Sequence, residues 1–267
     1  MTWTALLVPA VLLPAAYLGA EHVLHRRGDA WPVTRSGAAL AAGALLAVTA
    51  LWPGSGDLRV AETVRHLLAT MAAPVLFALS GPVALTLRVL RSRPRRALVR
   101  LLHGRWARAV TWWPVATVLA ASGAPLFYLA PVPHGLHAPL MVHMALASWL
   151  LATVVAGPDP ARGRPGTVTS TLALLVVAAV HGITAKLCSA AGAGPAAELL
   201  FVGGDVVEVG TAVAVWSRWY RRTAPRAARS TRGTVTDVRT GCLQAGPGNG
   251  GQGAQQGSAC RHPVRGG

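Results

Sequence analysis

The stretch Glu62–Pro82, ETVRHLLATMAAPVLFALSGP, decides how the rest of the chain is read. It is long enough and apolar enough to form a membrane-crossing helix, and it carries a carboxylate and an imidazole at its start. Glu62 and His66 are four residues apart, so a helix places them on one face. Ionisable groups within a bilayer are costly and mark functional positions. Pro74 and Pro82 fall within the same run and predict kinks, since proline lacks the N–H that a helix interior needs.

The whole chain supports this setting. It is 52% apolar with a mean hydropathy of +0.44, and only 13% of its residues are charged. The net charge of +16 does not mark a nucleic-acid partner, because nearly all the arginines lie between long apolar runs. The composition defines an all-α, polytopic membrane bundle whose first partner is the lipid bilayer. The three cysteines, Cys188, Cys242 and Cys260, have no CxxC spacing and imply neither a disulfide framework nor a zinc ribbon.

Seven runs are long enough to span about 30 Å of hydrocarbon. They cover roughly residues 3–20, 36–53, 62–90, 109–131, 138–157, 168–192 and 199–220. No Lys or Arg precedes the first run, and Arg26 and Arg27 follow it, so it reads as a span rather than a signal peptide. Arginines crowd the first, third and fifth connections and the segment after the seventh run, whereas the alternate connections hold only Arg59 and Arg65. The positive-inside rule then predicts seven spans with the N-terminus outside and the C-terminus cytoplasmic. Trp52, Trp112, Trp113, Trp216 and Trp219 fall near span ends, where an interfacial aromatic belt belongs. Residues 1–222 form the transmembrane domain in this reading, and 223–267, rich in Arg, Gly, Gln and Ser, a disordered cytoplasmic tail.

Orientation brings scattered polar groups to one depth. Glu62 and His66 open the third span on the outside, His137 and His143 open the fifth, and His181 lies about 20 Å along the outward-running sixth. Asp205 and Glu208 occupy the first turns of the seventh, with Lys186 a candidate counter-ion to either. The candidate metal ligands are therefore His66, His143, His181, Asp205, Glu62, Glu208 and His137. Imidazoles beside the thioethers of Met71, Met141 and Met144 suit copper, and imidazole with carboxylate also suits zinc.

The run VRHLLATMAAPVLFALSGPVALTLR, the Arg-rich connection after it, the LH-x5-H element at His137 and His143, the late His181 and a last span opening on Asp205 resemble the seven-span CtaG-type cytochrome c oxidase assembly proteins of bacteria. The resemblance covers roughly residues 1–222. It implies a plasma-membrane protein that assists biogenesis of a haem-copper oxidase, with oxidase subunits as partners, copper as cargo and no enzymatic activity. Three departures stand out: Glu62 replaces the first histidine of the family's HMxxH, Ser122, Gly123 and Ala124 replace its Trp-His-x before Pro125, and Val206 follows Asp205 where the family has Gln. The competing expectation is a seven-span hydrolase with an intramembrane zinc on His66, His143, His181 and Asp205. A photoreceptor with Lys186 as Schiff base is the third.

Overall fold

The computed structural model describes residues 3–54, 56–161 and 163–223, and every regular element among them is helical. Met1–Tyr220 forms one compact unit; a second begins at Arg221, so the tail expected from 223 lies almost entirely outside the described residues. Helices α1 (Leu7–Arg26) and α2 (Val33–Leu51) pack on each other, joined by a turn in which Gly28 has φ of 79°. The third apolar run is one long segment, Leu58–Val89, in pieces: α3 (Leu58–His66), a π-helical segment Leu67–Ala72, α4 (Ala73–Ser80) and α5 (Pro82–Val89). Short helices α6 (Ser92–Leu102) and α7 (Arg105–Val110) lead to α8 (Trp113–Tyr128), followed by α9 (His137–Val155), α10 (Thr167–Ala190) and α11 (Pro195–Thr223).

Six helical segments are long and apolar enough to cross a membrane, and they define a multi-pass membrane protein. The fourth expected span falls short of this: α8 has 16 residues, about 24 Å at 1.5 Å per residue, against some 30 Å of hydrocarbon. Pro114 is tolerated only in a first helical turn, so α8 starts at Trp113 rather than near Ala109, and Arg105–Val110 turns into a separate helix. Even so, α8 packs between α9 and α10.

The two prolines of the third run begin helices rather than kinking one. Pro74 is the second residue of α4 and Pro82 the first of α5. Between them Gly81 takes the left-handed conformation, φ 74°, and a Cβ there would stand 2.7 Å from the Pro158 ring. Upstream of Pro74 the strain is absorbed by the π-segment, in which the Ala73 N–H donates to the Leu68 carbonyl, five residues back. The Thr70 hydroxyl donates to the His66 carbonyl at 2.8 Å.

The end of the bundle opposite His66 is tied by charged groups no span-level expectation included. Asp159, buried in the loop after α9, accepts the Ala84 N–H at 2.7 Å and the Val83 N–H at 3.3 Å, capping α5 from a distant loop. Burial nonetheless holds its carboxyl above the usual carboxylate range, the two N–H groups and Arg35 opposing the shift. The Arg164 guanidinium donates to the Asp159 carbonyl at 2.6 Å and to those of Thr153 and Gly157, and Arg218 also reaches Gly157, so one cation serves a last-turn carbonyl of α9 and both meet the chain just past its end. Tyr17, Leu24, Trp31, Ala39 and Leu85 form one apolar cluster, in which Trp31 donates to the Tyr17 hydroxyl and Tyr17 to the Ser80 carbonyl. A second cluster joins α8, α9, α10 and α11 through Ala116, Leu151, Val154, Ala173 and Val215.

Candidate functional site

A cavity of about 60 Å³ lies in the bundle above that second cluster. Three ionisable side chains line it: His66 from the end of α3, His181 from α10 and Glu208 from α11, only 1%, 6% and 9% exposed. The Nε2 atoms of both histidines and Oε1 of Glu208 are buried without a hydrogen-bond partner. Leaving such atoms unmatched costs about 1–3 kcal/mol each, so the cavity suits a polar occupant, a water or an ion. His181 Nδ1 stands 3.6 Å from Glu208 Oε1, and His66 Nδ1 3.3 Å from the Thr70 hydroxyl, which orients the ring. Met71, Met144, Ser148 and Thr211 complete the polar or polarisable lining.

Small residues make this approach possible. A Cβ on Gly204 would lie 2.8 Å from both Cε1 and Nε2 of His181, and one on Gly203 2.3 Å from Leu67 Cδ1. The glycine pair thus lets α11 close on both His181 and the start of the π-segment. On the far side of His66, Phe127 stacks at 5.8 Å between centroids and Tyr128 meets it edge-on at 5.2 Å.

The remaining candidate ligands stand elsewhere. His143 is half-buried and does not line the cavity, because α9 turns Met141, Met144, Ala147 and Leu151 inward at helical spacing and leaves His143 to one side. Asp205 is exposed, since α11 turns Gly204, Glu208, Thr211 and Val215 inward. It borders an outer-facing groove with Lys186, whose Nζ lies 4.6 Å from the Phe201 ring centroid; no salt bridge joins Lys186 to Asp205 or Glu208 among the described residues. Lys186 faces that open groove rather than the buried cavity, where the Schiff-base expectation would place it. Glu62 turns from His66 to Arg65 at 3.0 Å and accepts the Trp3 indole N–H at 3.3 Å, fixing the start of the chain to α3. His137 meets Phe127 edge-on at 5.6 Å, with Nδ1 3.2 Å from the Pro133 carbonyl. Thr70, Ser148, Thr211 and the Phe127–Tyr128 pair went unnoticed in the sequence, whereas Gly203-Gly204, one turn before Glu208, was a usable sign of close helix approach.

Fold and site together define a class: a multi-pass helical membrane protein with an imidazole–carboxylate cluster buried in its bundle. The chain belongs to the cytochrome c oxidase caa3 assembly factor family (Caa3_CtaG), whose model matches residues 15–222. Similar curated proteins include two described as uncharacterized, from Mycobacterium bovis and Mycobacterium tuberculosis, each 31% identical over 198 residues. That match covers 65% of this chain and 29% of each relative, so the chain spans under a third of the length of the curated relatives it matches. No solved structure matches it.

Proposed function

We propose that this protein assists assembly of a haem-copper cytochrome c oxidase in the bacterial plasma membrane, holding copper for delivery to oxidase subunits, and that it is not itself an enzyme. The observation that carries the reading is the placement of His66, His181 and Glu208, each with a buried polar atom unmatched, around one small cavity. Two imidazoles with a carboxylate and the Met71 and Met144 thioethers form a donor set that copper accepts in either oxidation state. As they stand, no three His, Cys, Asp or Glu side chains among the described residues are close enough to share an ion, so loading includes side-chain rotation toward the cavity. Membership of an oxidase assembly factor family favours this reading over the zinc hydrolase.

Leu151 lines the cavity and also belongs to the apolar cluster with Val154 and Val215. Metal content of detergent-purified protein tests the reading directly. Wild-type protein retains copper after dialysis, and His66→Ala or His181→Ala loses it without loss of folded protein. In cells, the same substitutions lower oxidase activity, with partial rescue by added copper. Wild-type oxidase activity in cells lacking this protein under copper limitation refutes the assembly role, and a zinc-dependent hydrolytic activity points to the enzyme instead.

A further inference from the structure

The connection between α5 and α8 belongs to no part of the cavity, yet its chemistry is the most one-sided in the chain. From Arg88 to Arg108 it holds eight arginines, and no Asp or Glu occurs anywhere from residue 63 to 158. In α6, Arg93, Arg96 and Arg100 repeat at helical spacing on one face, while Leu98, Leu101 and Leu102 occupy another. Neither α6 nor α7 buries a single residue. Leu101 is 70% exposed and Trp106 85% exposed, so an amphipathic pair of helices offers both apolar and cationic groups with nothing among the described residues to cover them.

The tethers restrict what can cover it. Only Leu90 and Arg91 separate α5 from α6, and only Thr111 and Trp112 separate α7 from α8. Two residues reach about 7 Å at most. The pair is therefore held where the apolar helices α5 and α8 leave the hydrocarbon, at headgroup depth, and a partner must be present along that whole surface.

We propose that α6 and α7 lie in the plane of the bilayer and bind anionic phospholipid headgroups, the arginines pairing with phosphates while Leu101 and Trp106 enter the acyl boundary. Guanidinium matches phosphate with paired N–H donors, and an uninterrupted cationic face gains from a negative leaflet what it loses beside a zwitterionic one. An acidic soluble protein would match the charge but not the exposed Leu101 and Trp106 at that depth.

The test uses the full chain in nanodiscs of phosphatidylcholine alone or with phosphatidylglycerol. Cys188, Cys242 and Cys260 are replaced by Ser, and a polarity-sensitive dye is placed on Leu101→Cys. The dye reports an apolar environment in the anionic discs, becomes more aqueous in phosphatidylcholine, and loses the difference at about 1 M salt, where the Debye length falls to about 3 Å. Each arginine near an anionic surface contributes about a five-fold preference, so Arg93→Gln, Arg96→Gln and Arg100→Gln together lower the retention of phosphatidylglycerol over phosphatidylcholine, read by native mass spectrometry, about a hundred-fold. None of the three arginines is buried, so thermal unfolding of the triple variant stays at the value of its parent protein. Equal immersion in both lipids, a dye that stays in water in both, or a lipid preference untouched by the triple substitution each overturns the proposal.

Discussion

Replacing Gly204 by Ala adds one methyl group at the closest approach of α11 to His181. The new Cβ falls 2.8 Å from Cε1 and Nε2 and 3.2 Å from Cδ2 of the imidazole, where unstrained carbon contacts lie at about 3.5–4.0 Å. The overlap of about an ångström falls on a flat ring, and two outcomes relieve it: the ring swings and carries Nε2 from the cavity, or α11 backs away and takes Glu208 with it. Overpacking of this kind costs about 1–3 kcal/mol, which is about five- to 150-fold in any equilibrium that needs the native ring position. Under the proposed copper role, Gly204→Ala should therefore weaken copper binding by that factor in a competition titration on detergent-solubilised protein, and it should lower thermal stability. Gly210→Ala is the control, because nothing lies within 4 Å of its new Cβ and Ala favours a helix by about 1 kcal/mol. Wild-type copper affinity and unfolding temperature in Gly204→Ala would refute both the tight approach and the place of His181 in the site.

Asp159→Ala orphans the N–H groups of Val83 and Ala84 at the start of α5 and should cost about 1–3 kcal/mol in denaturant or thermal unfolding, while Asp159→Asn keeps an acceptor and costs less. Because burial raises the folded-state pKa of Asp159, its titration contributes stability that is complete below the ordinary carboxylate value of 3.8 and is lost as pH rises through the raised one. Wild type should lose stability relative to Asp159→Asn across that window, and a pH-independent difference between them would contradict the burial cost. For topology, an impermeant thiol reagent applied outside should label a cysteine at Gly135 and miss one at Gly104; the reverse pattern overturns the orientation read from the arginines.

Depth was legible in the sequence because a helix rises a fixed distance per residue, and that alone brought His66, His181 and Glu208 to one level. Rotation was not. Lipid tails and a protein core are equally apolar, so α9 and α10 carry no stripe that marks the buried face. Hence Met144 faces the cavity and its neighbour His143 does not; Glu208 faces it and Asp205 does not. The partner of Glu62 was missed for a related reason: helical spacing put it beside His66, but it equally allowed Arg65, and the oppositely charged side chain took it. The length of α8 is legible in Pro114, although the apolar residues before it hide the helix start. Arg164 and Arg218 entered the sequence reading only as topology-setting charges and Asp159 not at all, since their partners are backbone groups that only the assembled bundle brings near.

The π-segment sets the phase of the third run. A π-turn inserts one residue beyond α-helical geometry, so everything before it is turned by about 100° relative to an uninterrupted helix. His66 and Pro74 are eight residues apart, which is no whole number of α-turns. With the inserted residue set aside the interval is about seven, two turns at 3.6 residues, and the imidazole stands in line above the proline. A one-residue deletion within Leu67–Ala72 would turn the segment into a regular α-helix and keep His66 facing the cavity, whereas straightening the segment with its length unchanged would turn the imidazole away by about 100°. For the same reason, a homologous chain whose third helix is regular must carry its imidazole one position closer to the proline to present it to the same cavity, and an alignment without a gap there would pair it with the wrong residue.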